Sequence, residues 1–438
     1  MNRRLRGVLV FVGSIGLAIA LASCGNAKAS TQTTLPVGAG LPATGPHPGV
    51  TSNAIYVGTL ATETGPLAPG FGEIVNGAQA YFNMINAEGG VNGRKIYIKY
   101  EENDGGSTTN DETEARTLVE QDHVFAVVAV GTAFFTGSTF LAQSGTPTFG
   151  YVVTQDWNNY PNLFGAYGSY LDYTTEEPTS GYVASALHAK SVAVLAYNFG
   201  ESSAPCADIA TGIQHYGFHL GFEDLNFGLG ASPTADVQKM KAANVDLVFS
   251  CMEGTDNLAF SKAMYQFGMQ THFVWLDGYS QQTIKANPTV MNGVIFGEQH
   301  IPYEAEEQFG SGAFPALKQY FTTMEKYYPQ YVYDDTAIQG WIGAAQFVEG
   351  LRGIGRNVTQ NRLVDEINKE TAYTANGLVP PINWVTGHTS ALPPYCGAYV
   401  EDENGKTSVV FNHGTKIFIC LGANSDVPIT NPPGTPGG

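Results

Sequence analysis

Residues 85–96 read Ile85-Asn86-Ala87-Glu88-Gly89-Gly90-Val91-Asn92-Gly93-Arg94-Lys95-Ile96, and they join a helical pattern to a β pattern. Upstream, Ile74, Ala78, Tyr81, Phe82 and Ile85 recur at helical spacing and form one apolar stripe on a helix predicted over Gly72–Glu88. Downstream, Lys95–Glu101 is short and rich in Ile and Tyr, which predicts a strand. The glycines and Asn92 between them supply a turn.

The same alternation continues in both directions. Strands are predicted at Ala54–Ala61, Val124–Val130, Ser191–Tyr197, Val245–Cys251, His272–Leu276 and Gly293–Phe296. Helices are predicted at Asp111–Gln121, Thr174–Ala189, Pro205–Tyr216, Ala235–Ala243, Asp256–Gly268, Phe314–Tyr328, Thr336–Arg352 and Gln360–Lys369. Strands alternating with helices argue for α/β layers with mostly parallel sheets, and the length fits two such units better than one. After Ala375 the pattern turns all-β, with Asn404-Gly405 as a hairpin signal.

The 438 residues are 43% hydrophobic, enough for a sizeable core, but only 14% charged. The 21 basic and 39 acidic residues leave a net charge of −18, which repels phosphate backbones and argues against nucleic acid as a partner. Nor do the motifs point to an enzyme. There is no G-x-S-x-G, no H-E-x-x-H and no P-loop. His215 and His219 stand four apart, but Gly217 between them breaks a helical ligand pair. Gly228-Leu229-Gly230 lacks the third glycine of a dinucleotide turn. No cofactor and no metal is expected.

The first residues point to export. Arg3, Arg4 and Arg6 precede an apolar run from Gly7 to Ala22, short for a membrane span and suited to a secretory signal. The run ends in Leu21-Ala22-Ser23-Cys24, which resembles a bacterial lipobox and marks residues 1–23 as a lipoprotein signal peptide and Cys24 as the lipidated residue. Cleavage there removes three arginines and takes the net charge from −18 to −21. Residues 24–52, rich in Gly, Ala, Thr and Pro, read as a flexible tether with a reach of roughly 30 Å. Residues 424–438 read as a flexible tail. Attachment to the membrane is expected through the lipid alone, and the protein is expected to be a monomer.

Four cysteines remain, Cys206, Cys251, Cys396 and Cys420, and they allow three pairings. Proximity favours Cys206–Cys251 and Cys396–Cys420, each contributing roughly 3.5–4 kcal/mol by loop-closure entropy. A metal site is disfavoured, because there is no C-x-x-C and no histidine at ligand spacing.

Three motifs in order carry a resemblance: Thr64-Gly65-Pro66, the stretch Ile85–Ile96, and Leu118-Val119-Glu120-Gln121-Asp122 with Val124–Val128. Together they resemble the leucine/isoleucine/valine-binding-protein branch of the type I solute-binding proteins of ABC transporters, most of all actinobacterial lipoproteins. The resemblance implies two Rossmann-like lobes, with mostly parallel sheets, joined by three crossovers near Gly168–Leu171, Gln299–Tyr303 and Thr374–Leu378. Lobe one is expected at 53–170 plus 301–375 and lobe two at 171–300 plus 376–423. It implies an extracytoplasmic binding protein that captures a small amino-acid-like, apolar or aromatic ligand and delivers it to permease subunits. The alternative is a binding module that signals through a separate partner protein.

In open α/β sheets ligands sit beyond the carboxyl ends of strands, so the residues following strands are the candidates. The loop Gly131–Ser138 opens a helix and offers N–H groups and hydroxyls to a carboxylate. The resemblance gives that role to Thr136 and Ser138, with Thr132 and Phe135 in the same loop; helix capping is the alternative for Thr136. Thr154 and Phe71 match ligand-contacting positions of the family. In the second lobe, Tyr197, Glu253, Asp277 and Tyr279 end strands, and a carboxylate among them suits an ammonium. The abundance of aromatics here (Phe134, Tyr151, Trp157 and Phe199 among them) favours a large apolar or aromatic ligand group.

Overall fold

The computed structural model describes residues 47–174, 178–310, 312–389 and 395–421. The segment expected to be a signal peptide, the expected lipidation residue Cys24 and the expected tail 424–438 lie outside the described residues. Five parallel strands form the first sheet in the order β2-β1-β3-β4-β5: β1 Ala54–Ala61, β2 Lys95–Asn103, β3 Val127–Gly131, β4 Thr148–Gly150 and β5 Leu163–Gly165. The second sheet contains β6 Ser191–Tyr197, β7 His219–Phe227, β8 Leu247–Ser250, β9 His272–Trp275, β10 Val294–Glu298, β11 Tyr395–Glu403 and β12 Lys406–Val410. Its order is β12-β11-β10-β9-β8-β6-β7, with β13 Ile419–Leu421 pairing β11. β6 to β10 run parallel, and the C-terminal strands add antiparallel. Helices cover both sheets, as a doubly wound fold requires.

The predicted apolar stripe is the buried face of the helix Ile74–Ala87: Ile74, Ala78, Tyr81, Phe82 and Ile85 are all buried. That helix crosses the helix Ala337–Ile354 at a backbone-to-backbone contact. A Cβ on Gly77 would come 1.6 Å from the Ala337 carbonyl oxygen, and one on Gly340 would come 1.8 Å from that of Ile74. Only glycine permits this approach. The helix Ala337–Ile354 in turn lies against β3 and β4, with Phe347 on Phe149 at 5.6 Å.

The chain passes between the two sheets three times: after β5, after β10, and between the helix Gln360–Ile367 and β11. The second and third passes are bonded to one another, Ile301 N–H donating to the Leu378 carbonyl at 2.8 Å. Two segments pack across the expected lobe divisions. The short helix Ala305–Phe309 holds β12 through Gln308 and Val409, whereas Trp384 and His388 pack on Phe164 of β5, each with ring centroids 5.2 Å away. Residues 47–52, expected in the tether, lie against the first sheet, with Tyr56 N–H donating to the Gly49 carbonyl at 2.7 Å.

Cys206–Cys251 and Cys396–Cys420 are bonded. The first ties the helix Gly200–His215 to the end of β8; the second closes β11 onto β13. β7 was missed in the sequence because His219–Phe227 carries Gly221 and alternates without a strong apolar run, as suits an edge strand. Among the described residues no helix is long and apolar enough to cross a membrane.

Candidate functional site

The loops after β1 and β3 face those after β6 and β8. Phe134 meets Phe199 edge-on with ring centroids 5.4 Å apart, and a Cβ on Gly70 would lie 3.8 Å from Cβ of Glu253. On the first-lobe side Phe71 packs in a small apolar cluster with Leu67, Ala133, Phe134, Tyr151 and Val153. On the second-lobe side Phe199 stacks on Tyr197 at 5.0 Å, and the Tyr197 hydroxyl donates to Asp256 at 2.9 Å and to Glu253 at 3.3 Å. Glu253 is also the N-cap of the helix Gly254–Gln266, accepting from Thr255 N–H at 3.0 Å and Asp256 N–H at 3.3 Å.

Behind this aromatic wall lies a group of acids. Asp277 follows β9 and Glu298 ends β10, while Asp335 precedes the helix Ala337–Ile354 of the first lobe. Asp335 Oδ2 accepts the Gly278 and Tyr279 N–H groups at 2.9 and 3.1 Å, so it reaches across the lobe junction to the residues beside Asp277. Burial, reinforced by the charge of Glu253, pushes the Asp277 carboxyl up to about 7. Burial and then Asp277 itself raise Asp335 well above the carboxylate range. The Tyr151 and Tyr167 hydroxyls are raised as well, chiefly by burial; Asp277 is the first charge acting on Tyr151 and Glu298 the first acting on Tyr167. Asp335, Glu298, Tyr167 and Gln339 were not read from the sequence. Asp334-Asp335-Thr336 ahead of a helix reads as an ordinary cap, and no strand marks Tyr167 or Gln339.

Most of the remaining expected residues find their partners within one lobe. The Thr136 hydroxyl donates to the Thr108 carbonyl at 2.5 Å and to Asp111 at 3.2 Å, while Asp111 Oδ1 also accepts the Gly137 N–H at 2.6 Å. Thr132 lies beside the same carboxyl, which burial pushes up to about 7. Ser138 is buried as the first residue of the helix Ser138–Ser144. Phe135 is core, packed on Trp157 at 4.6 Å rather than with Phe71. Thr154 caps the turn Gln155–Trp157 through Asp156. The Tyr279 hydroxyl donates to Glu304 at 2.6 Å, and its ring lies against Tyr303 on the crossover at 5.8 Å.

A hollow of about 690 Å³ lies over Asn53, Lys95 and Tyr97, at the amino ends of the first strands and away from all of these groups. A smaller one, about 490 Å³, opens where the lobes meet, between Glu73, Asn76 and Asp334 on one side and Ser280 and Gln282 on the other. The second lies at the lobe junction, but its lining includes none of Phe71, Phe134, Phe199, Asp277 and Asp335. Among the described residues no group of three or more His, Cys, Asp or Glu is arranged to hold a metal ion.

Residues 54–404 match the model of a family described as periplasmic binding protein. The chain belongs to the periplasmic binding protein family. Solved structures share the fold of this family member at low identity. A fatty acid ABC transporter substrate-binding protein from Thermomonospora curvata is 19% identical, with a TM-score of 0.70 over 89% of this chain and 97% of that one. The branched-chain amino acid binding protein LivJ from Streptococcus pneumoniae, in complex with isoleucine, is also 19% identical, with a TM-score of 0.67 over 82% and 99%. An R. palustris solute-binding protein in complex with benzoate is 12% identical, with a TM-score of 0.66 over 85% and 99%. No curated protein matches the sequence. Two lobes, mostly parallel sheets and three passes between them are the architecture of this periplasmic binding protein, with an extracytoplasmic location as the family's setting.

Proposed function

We propose that this periplasmic binding protein is an extracytoplasmic lipoprotein, anchored through Cys24, that captures a small organic ligand between its lobes and delivers it to the permease of an ABC transporter. It carries out no covalent chemistry. The observation that supports this reading most is the contact of Phe134 with Phe199, which joins the two lobes over the aromatic and acidic residues of the cleft. A ligand that touches both walls favours the closed arrangement by its differential affinity for it, so capture and closure are thermodynamically one event.

Two experiments test it. Ligand addition to the purified protein is expected to raise the melting temperature and reduce the radius of gyration in small-angle scattering; a ligand that binds without compaction contradicts capture by closure. For the anchor, Cys24→Ala is expected to move the protein from the membrane to the soluble fraction, and unchanged fractionation contradicts lipidation at Cys24.

A further inference from the structure

Several of the donors expected to hold a ligand carboxylate are engaged within the chain, although the buried Thr132 hydroxyl has no hydrogen-bond partner. In the loop after β3, Gly137 N–H and the Thr136 hydroxyl serve the chain's own Asp111 carboxyl. Thr136 N–H donates to the Phe134 carbonyl at 3.0 Å and Ser138 N–H to the Phe135 carbonyl at 3.2 Å. A second carboxylate here would find no free donor among them and would face Asp111, a like charge in a buried setting.

The opposite holds across the cleft. Asp277, Glu253 and Glu298 of the second lobe and Asp335 of the first lie within electrostatic reach of one another, and the strongest charges acting on Asp277 and Asp335 are all carboxyls. His300 offsets one of them, standing 3.0 Å from Glu298. Asp277 and Asp335 bond to each other through their side chains, so one proton serves both carboxyls, and beyond it the group is short of positive charge. Asp277 Oδ1 is buried without a hydrogen-bond partner. So is Oε1 of Gln339, a residue only 3% exposed, whose Nε2 donates to the Asp335 carbonyl at 2.9 Å. Unmatched buried acceptors beside like charges are costly, and a ligand that brings N–H donors and positive charge meets both needs. The adjoining wall is aromatic, with Phe71 on Tyr151 at 6.0 Å and Tyr197 on Phe199. Such faces hold the apolar part of a ligand and attract cations through the ring quadrupole.

Resting on the solute-capture reading, we infer that the ligand is an organic cation without a carboxylate: an amine bearing an aromatic or branched aliphatic group. The ammonium takes the place of the proton that Asp277 and Asp335 share, one carboxyl from each lobe, and the apolar group lies against Phe71, Phe134 and Phe199.

Calorimetry with three probes of one shape separates the charge classes: 2-phenylethylamine, phenylalanine and 3-phenylpropionate, alongside isoamylamine, leucine and 4-methylpentanoate. The amines are expected to bind at least tenfold tighter than the matching zwitterions, and the acids not at all. Asp277→Asn and Asp335→Asn are each expected to weaken amine binding tenfold or more while keeping a cooperative thermal transition. Equal or tighter binding of a zwitterion or an acid overturns the inference and leaves solute capture standing, as does unchanged amine affinity in both variants. Small molecules released by denaturing the purified full chain are identified by mass spectrometry as a second readout. A released amine supports the inference, a released acid overturns it, and no released molecule together with no probe binding counts against capture itself.

Discussion

Phe134 and Phe199 belong to different sheets, yet their rings meet at 5.4 Å with an interplanar angle of 70°. Such an edge-to-face pair is worth about 0.5–1.5 kcal/mol beyond its buried area. Phe134→Ala and Phe199→Ala are each expected to shift the lobe equilibrium toward open, seen as a larger radius of gyration. The double variant should add little to either single one, because the two rings act on each other. Full additivity in scattering would show that the pair does not hold the lobes together.

Asp111 is buried and supplies the acceptor for the Gly137 N–H. Asp111→Ala leaves that donor unsatisfied and is expected to destabilise the chain by about 1–3 kcal/mol in urea denaturation. Asp111→Asn keeps an acceptor and should recover most of the loss. Equal destabilisation by both substitutions would mean that charge, not hydrogen bonding, is what matters there.

Stability should fall as pH rises. Asp111 and Asp277 have carboxyls lifted from 3.8 to about 7, and Asp334 to about 6, chiefly by burial. A folded-state value above the unfolded one means the native chain binds more protons in between, so this contribution is complete below about 4 and lost by about 7. His388, lowered by burial to about 4, works in the opposite sense between about 4 and 6.5. The carboxyls outnumber it, and calorimetry from pH 5 to pH 8 is expected to show a declining melting temperature in ligand-free protein. The decline should be shallower in Asp277→Asn; an identical slope would place the titration elsewhere.

The two disulfides are separable. Replacing Cys206 and Cys251 by Ser unties a helix from the middle of the second sheet and is expected to cost about 2–5 kcal/mol. Replacing Cys396 and Cys420 releases the three-residue β13, whose strand pairing is confined to β11. The expected result there is early proteolysis near residues 411–421, with a smaller drop in the main thermal transition than in the first variant. Simultaneous loss of the whole fold in the second variant would contradict this division.

The sequence was most informative where periodicity and turn chemistry agreed. The stripe from Ile74 to Ile85, the glycine turn and β2 could be read directly, and β1 was located to the residue. Periodicity does not show which face of a loop will be buried. Phe134 and Phe135 are adjacent and identical in type, yet one faces the other lobe and the other packs on Trp157. Thr136 looked free because its partner Asp111 lies 25 positions away on another helix. Asp335 looked like a cap because its bonds to Gly278 and Tyr279 span more than 50 positions. Long-range pairing of polar groups leaves no local signature, and the candidate site is made mostly of such pairs.

The glycine crossing of the helices Ile74–Ala87 and Ala337–Ile354 bears on how selectivity is exercised. With Gly77 against Ala337 and Gly340 against Ile74, neither helix can slide past the other without a backbone collision. Phe71 stands just before the first helix and Asp335 just before the second. The apolar and the charged contributions of the first lobe are thus fixed in register before any ligand arrives. Under the capture proposal, a solute would meet a first-lobe wall whose apolar and charged parts keep a fixed spacing while the other lobe moves.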